Sequence, residues 1–199
     1  VAGGGYHSLA LRPDGSVVGW GLNGNGQTAA PGGSNFTTIA AGMYHSLAIR
    51  EDGALAGWGL NTSGQIDVPL GNDFVAIAGG GTHSLAIRED GSIVGWGAGL
   101  DPYGLISGIP AGNDFVAIAA GQSHDMALRA DGSVVGWGNN DYGKTDAPPV
   151  PNFGVVAVGL FHTFALEQVD TPAPSSLVGL LSMGAVALLA QAWRRRRIG

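Results

Sequence analysis

Five histidines, His7, His45, His83, His124 and His162, stand 38, 38, 41 and 38 residues apart in a chain of 199 residues. Imidazoles at so regular an interval invite two chemistries: a ring of metal ligands, or a set of identical hydrogen-bonding posts. A divalent ion needs its ligands to converge at about 2 Å from one point. A residue present in every copy of a repeat serves the repeat, so these histidines are expected to satisfy backbone groups beside a tight glycine-containing turn, at the start of an inner strand. Ser123-His124-Asp125 has the letters of a hydrolase triad, but neighbours on a strand point to opposite faces. There is no cysteine, which removes disulfides, thiolate zinc sites and thiol nucleophiles together. No nucleophile with a paired base and no metal set is visible, so the chain reads as a non-enzyme that needs no cofactor.

The elements that carry the histidines are repeats. HSLALRPDGSVVGWG at His7 returns as HSLAIREDGALAGWG at His45, HSLAIREDGSIVGWG at His83 and HDMALRADGSVVGWG at His124, and HTFAL at His162 begins a fifth copy. In each, an apolar-alternating run meets Asp-Gly and then a second run ending in Gly-Trp-Gly, which predicts a β-hairpin. Asp-Gly suits a two-residue type I′ turn, with both central residues at positive φ. A third strand precedes each hairpin, at FTTIAAG from Phe36, FVAIAGG from Phe74, FVAIAAG from Phe115 and FGVVAVG from Phe153. The connection behind each tryptophan is rich in glycine and ends in proline, which forbids a helix. The units are 1–35, 36–73, 74–114, 115–152 and a partial 153–168.

Three short antiparallel strands cannot bury two faces alone, so successive sheets must stack and share their cores. The fold expected is all-β, a β-propeller with three-stranded blades of about 38 residues and one tryptophan packed between each pair of blades. The pattern GxxHSLALRxDGxVxGWGxNxxGQ followed by VP resembles the regulator-of-chromosome-condensation repeat. The short period is most similar to the compact bacterial version of that family, known from a secreted β-lactamase inhibitor, and that resemblance implies a seven-bladed toroid. Val1 aligns with Ile39, which leaves the first unit short of its opening residues. The expectation is therefore an incomplete arc, with further blades and any signal peptide upstream.

Residues 1–168 carry 14 Asp or Glu against 5 Lys or Arg. An acidic surface does not neutralise phosphates, so nucleic acid is not an expected partner. Arg12, Arg50, Arg88 and Arg129 each lie two residues before the turn aspartate, and local pairing there is their expected role.

The composition changes at the tail, where residues 169–176 form a linker containing Pro172-Ala173-Pro174. Leu177 to Trp193 follows as a mostly apolar run, and Arg194, Arg195, Arg196 and Arg197 close it within 194–199. As a helix, 17 residues span roughly 26 Å, close to a hydrocarbon layer of about 30 Å. The arginines would stay on the cytoplasmic side and place the repeats on the exported side. A short proline motif, one span and a terminal arginine cluster together resemble the PEP-CTERM sorting signal of Gram-negative bacteria, although its central acidic residue is Ala173 here. That resemblance implies an exosortase-like processing enzyme as a partner. It also implies transit through the inner membrane by the C-terminal helix, then a cell-surface or extracellular location.

Positions that vary between units are free to specify a ligand. The pair before each histidine varies most: Gly5-Tyr6, Met43-Tyr44, Gly81-Thr82, Gln122-Ser123 and Leu160-Phe161. These pairs would lie on one face of the toroid, and Tyr6, Met43, Tyr44, Thr82, Gln122 and Phe161 are candidate binding residues, the aromatics being typical interface anchors. In the resembling inhibitor family, residues of these turns meet the partner. The third unit carries three extra residues within Ala98 to Pro110, so Asp101, Tyr103 and Leu105 are expected to protrude from the rim, Asp101 and Tyr103 as further candidates. The function expected is an exported bacterial surface or matrix protein that presents a propeller face to a protein or glycan. The alternatives are a secreted inhibitor or regulator of a cell-wall or β-lactamase-type enzyme, and an enzyme.

Overall fold

A computed structural model describes residues 1–159 and 161–167. Pro172, Pro174, the Leu177 to Trp193 run and Arg194 to Arg197 lie outside the described residues. The first sheet joins β1 (Ala2–Gly3), β2 (His7–Leu11) and β3 (Val17–Gly21). The second joins β4 (Phe36–Ala41), β5 (His45–Arg50) and β6 (Leu55–Gly59), and the third β7 (Phe74–Gly79), β8 (His83–Arg88) and β9 (Ile93–Gly97). The fourth joins β10 (Phe115–Ala120), β11 (His124–Arg129) and β12 (Val134–Gly138), and β13 (Phe153–Val158) pairs with β14 (Thr163–Glu167). All pairings are antiparallel, and the one short helix described is a 3-10 turn at Asp141–Gly143. The histidine strand is the middle strand of each three-stranded sheet.

The hairpin turns differ from the expected two-residue form. Gly15, Gly53, Gly91 and Gly132 have positive φ, but the aspartates before them do not. Gly15 N–H donates to Arg12 O at 3.0 Å and Arg12 N–H to Ser16 O at 2.8 Å, and the other three hairpins repeat both bonds. This is a type I turn followed by a left-handed glycine that forms a bulge. The aspartate is selected by its side chain: Asp14, Asp52, Asp90 and Asp131 each accept the N–H two residues on, at 2.8–3.0 Å. The turn glycine carbonyl then reaches the next sheet, accepting Phe36 N–H from Gly15 at 3.1 Å and Phe115 N–H from Gly91 at 3.1 Å.

The core consists of sheet-to-sheet junctions, each shared by two consecutive units as stacking requires. Leu9 packs with Phe36, Ala48 and Trp58, and Leu47 and Ile49 pack with Phe74, Ala86 and Trp96. Leu85 and Ile87 pack with Phe115, Ala127 and Trp137, and Met126 and Leu128 with Phe153 and Val156. Trp58, Trp96 and Trp137 are buried, whereas Trp20, with no described sheet before it, is 51% exposed. A bulge after each strand-opening phenylalanine, between Phe74 and Ala76 for example, turns Val75 outward.

The repeat arginines do not pair with the turn aspartates. Arg88 binds Asp73 at 2.6 and 2.8 Å, Arg129 binds Asp114, and Arg50 donates to Asn35 Oδ1 at 2.9 Å. Each guanidinium also covers the phenylalanine ring that opens the same sheet, at 4.7 Å on Phe36 and Phe74 and 4.4 Å on Phe115. The residue before the strand supplies the acceptor oxygen, a carboxylate at Asp73 and Asp114 and an amide at Asn35, and its first residue the ring, so the turn carboxylate is left to its own loop.

Candidate functional site

Each sheet begins at the centre of the arc, where small residues let the turns approach one another. Gly5 N–H donates to Gly42 O at 3.1 Å, Met43 N–H to Gly80 O at 3.0 Å and Gly81 N–H to Gly121 O at 3.0 Å, so successive turns are joined backbone to backbone. They surround a cavity of about 250 Å³ lined almost wholly by glycine and alanine. Gly42 is obligatory, because a Cβ there would collide with the His45 ring, 2.6 Å from its Nδ1 and closer still to its Cε1, and would lie 2.7 Å from the Gly80 carbonyl.

The histidines form a ladder between sheets. His7 Nε2 is 2.8 Å from Ser46 Oγ, and His45 Nε2 is 2.9 Å from Ser84 Oγ. Ser46 Oγ donates to Gln27 O at 2.7 Å and Ser84 Oγ to Gln65 O at 2.8 Å, which uses each hydroxyl's one proton. The imidazole must then donate from Nε2 and be neutral, with an unprotonated Nδ1. The buried Nδ1 atoms of His7 and His45 have no partner, so a second proton would find no acceptor. Burial accordingly lowers the His45 pKa to about 3, helped by the neighbouring His83 and His7, and burial lowers that of His7 as well. The partner is thus the side chain of the adjacent sheet and not the backbone of the histidine's own turn. The signal was available in sequence, since the residue after each histidine always bears oxygen: Ser8, Ser46, Ser84, Asp125 and Thr163.

The third junction departs from this pattern. His83 Nε2 meets Asp125 Oδ1 at 2.8 Å with both side chains wholly buried. Burial raises the Asp125 pKa, against the lowering effect of the His83 hydrogen bond. Asp125 therefore serves His83 in the preceding sheet, and His124 has no partner at either ring nitrogen. Among the described residues no group of three or more His, Cys, Asp or Glu is assembled.

The candidate binding turns lie directly before the ladder. Tyr6 and Tyr44 are brought together from neighbouring sheets, with centroids 5.2 Å apart and planes 18° from parallel. Tyr6 is 57% exposed, and a hydrogen bond to Tyr6 raises the Tyr44 pKa. Met43 is half-buried between them and the cavity, with its side chain against Gly5. Thr82 is exposed and Gln122 half-buried in the next two turns, while Phe161 is 68% exposed at the far end of the arc. Leu160 lies outside the described residues.

The inserted loop is more ordered than a protruding rim. Leu105 is buried, and its carbonyl accepts Trp137 Nε1–H at 3.0 Å, a correction to its expected exposure. Asp101 accepts the N–H groups of Leu105 at 2.6 Å, Ile106 at 3.2 Å and Ser107 at 2.8 Å. Desolvation acts to raise its pKa, but the hydrogen bonds from this backbone outweigh it and the net shift is downward. It does what Asn61 does elsewhere by accepting Ile66 N–H, so its carboxylate is committed to the loop. Tyr103 stands half exposed beside it.

This geometry has parallels in known proteins. The ectodomain of the Physcomitrella patens receptor kinase CR4 superposes with a TM-score of 0.70 at 24% identity, over 87% of this chain and 47% of that one. The CRINKLY WD40 ectodomain of the Arabidopsis thaliana receptor kinase ACR4 gives 0.63 at 27% identity, over 76% and 53%. Yeast RCC1 (Prp20), in its complex with Kap60, gives 0.66 at 20% identity, over 85% and 54%. The chain thus spans about half the length of these structures. Among curated proteins, none matches it. Residues 1–27, 36–65, 74–101 and 115–144 match the repeat described as "Regulator of chromosome condensation (RCC1) repeat". Those four stretches hold the histidine ladder, the Asp-Gly turns and the interleaved tryptophans, and the chain belongs to the RCC1 repeat family.

Proposed function

We propose that this protein is an exported bacterial surface or matrix scaffold that binds a protein or glycan through the face carrying Tyr6, Met43, Tyr44, Thr82, Gln122 and Phe161. RCC1-type propeller repeats suggest a protein-interaction scaffold. The single observation that carries the binding reading is the Tyr6–Tyr44 stack, a flat aromatic platform exposed on one face and held on a rigid ladder. Solved relatives in fold include two receptor-kinase ectodomains, and in a third the yeast RCC1 is bound to Kap60. Export rests on the order Pro172-Ala173-Pro174, apolar run, Arg194 to Arg197, which suits transient membrane retention and processing by an exosortase-like enzyme.

Two experiments test this. The whole protein, immobilised, is exposed to cell-surface proteins and to cell-surface polysaccharides from its source. Tyr6→Ala with Tyr44→Ala is expected to weaken capture at least tenfold with an unchanged Tm, and equal capture by both forms defeats the binding reading. Cell fractionation with mass spectrometry of the C-terminus is expected to show a surface form cleaved near Pro172 to Ser175. A cytoplasmic protein, or a membrane form with its C-terminus intact, defeats the sorting reading.

A further inference from the structure

Each internal junction receives the third strand of a sheet in the same way. Trp58 Nε1 donates to Gln27 O at 2.9 Å, Trp96 Nε1 to Gln65 O at 2.9 Å and Trp137 Nε1 to Leu105 O at 3.0 Å, each acceptor lying in the preceding connection. The glycine after each tryptophan fits a narrow place. A Cβ on Gly59 would lie 2.8 Å from Tyr44 O, 2.9 Å from His45 Cα and 3.2 Å from Gln27 Cα, and Gly97 and Gly138 are as confined. The next residue donates its N–H to the turn before the histidine, Leu60 to Tyr44 O at 3.0 Å and Asn139 to Ser123 O at 2.7 Å.

The fourth junction presents the same receiving groups, and among the described residues no third strand meets them. Lys144 stands where Gln27 and Gln65 stand, and its carbonyl accepts Thr163 Oγ1–H at 3.0 Å as theirs accept serine. No described tryptophan reaches it. Beside it lies a groove of about 390 Å³, lined by Met126, Val134, Lys144, Phe153, His162 and Thr163 among others. β14 is paired with β13 alone among the described residues. Leu166 on β14 is 50% exposed, whereas Ile49 and Ile87 at its position are buried.

The sequence after Glu167 does not repeat the third-strand motif. Third strands begin ten residues after the histidine and place tryptophan thirteen after it, as at Val17 and Trp20. Counted from His162, that register falls on Pro172 to Ser176, PAPSS, with Ser175 at the tryptophan position. Pro172 and Pro174 have no N–H to give a ladder. We propose that the groove between the fourth connection and β13–β14 is a strand-docking site for an extended Gly-Trp-Gly polypeptide segment from outside this sequence, whose indole N–H donates to the Lys144 carbonyl. Continuity with the three junctions that each receive a Gly-Trp-Gly strand in the same molecule identifies the occupant: apolar residues opposite β14, then glycine, tryptophan and glycine. The groove shares Phe161 with the proposed binding face, but it is argued from the junction geometry and does not depend on the Tyr6–Tyr44 stack.

Grafting tests it within the full chain. Pro172→Val, Ala173→Val, Pro174→Gly, Ser175→Trp and Ser176→Gly together write VVGWG in register. The graft is expected to raise Tm by about 4 °C or more. Its new tryptophan should be shielded from a soluble quencher, whereas Trp20 is not. In trans, the peptide VVGWGN should bind the unmodified full chain saturably. VVGAGN, lacking the indole, and VVGWAN, adding a Cβ where the fit is closest, should each bind at least tenfold more weakly. An unchanged Tm with an exposed grafted indole overturns the proposal, as does equal binding of the three peptides.

Discussion

His83 Nε2 lies 2.8 Å from Asp125 Oδ1 across the third junction, and neither side chain touches solvent. At the two earlier junctions Ser46 and Ser84 hold that place and donate their own hydroxyl hydrogen bond to a carbonyl. An ionised Asp125 cannot, and its Oδ2 is buried without a partner. A half-satisfied buried carboxylate is costly, so Asp125→Ser, which restores the pattern of the other repeats with Leu105 O as acceptor, should stabilise the protein by about 1–3 kcal/mol. Thermal denaturation reads this directly. A fall in Tm would show that the carboxylate contributes more than its burial costs.

Acid should loosen the ladder before it protonates most carboxylates. The folded state keeps His45 neutral down to about 3, while the unfolded chain takes up that proton near 6.5, so stability is lost as pH falls through this window. At pH 5 the loss from His45 alone is on the order of 2 kcal/mol relative to pH 7.5. His7 and His124, also lowered by burial, act in the same direction, and Asp125, raised, acts against them. Urea midpoints at the two pH values measure the sum, and His45→Gln should flatten the difference; an equal midpoint at both would contradict the neutral ladder.

Trp58 and Trp20 occupy the same repeat position with opposite surroundings. Trp58→Ala should cost about 3–5 kcal/mol, because it empties a packed junction and leaves Gln27 O without its indole. Trp20→Ala, at a residue half exposed to solvent, should cost less than about 1 kcal/mol. Similar losses in the two variants, read by chemical denaturation, would mean that the junction is not the source of the stability.

Two glycines separate backbone need from habit. Gly53 has φ +82 and a Cβ there would run into the Asn72 carbonyl, so Gly53→Ala should cost at least about 2 kcal/mol. Gly24 has open space around it, and Gly24→Ala should change stability by less than about 0.5 kcal/mol. Equal effects would mean that the turn yields more easily than its geometry implies.

The repeat, the strands and the turns were legible because they depend on neighbours in the chain. Alternation at Phe74 to Gly79 and glycine after Asp90 are local rules, and each copy restates them. Even so, Asp-Gly alone did not distinguish a two-residue turn from a three-residue one, because both need a left-handed glycine and only the strand register tells them apart.

The amino-acid sequence by itself determined that residues 1–167 form an all-β array of four recurring units and part of a fifth, that their tryptophans fill spaces between sheets, and that their histidines belong to the repeat. Only the tertiary structure decided what those residues touch. His7 meets Ser46 39 positions away, Arg88 leaves Asp90 for Asp73 and Phe74, and Leu105 turns inward to offer a carbonyl to Trp137. Likewise only the stacking of sheets brings Tyr6 onto Tyr44 and leaves the Lys144 carbonyl beside an open groove. The reason is physical: a strand's own residues set its alternation, but a side chain on one blade finds its partner on the next, and that pairing is fixed by how two separate sheets pack and not by spacing along the chain.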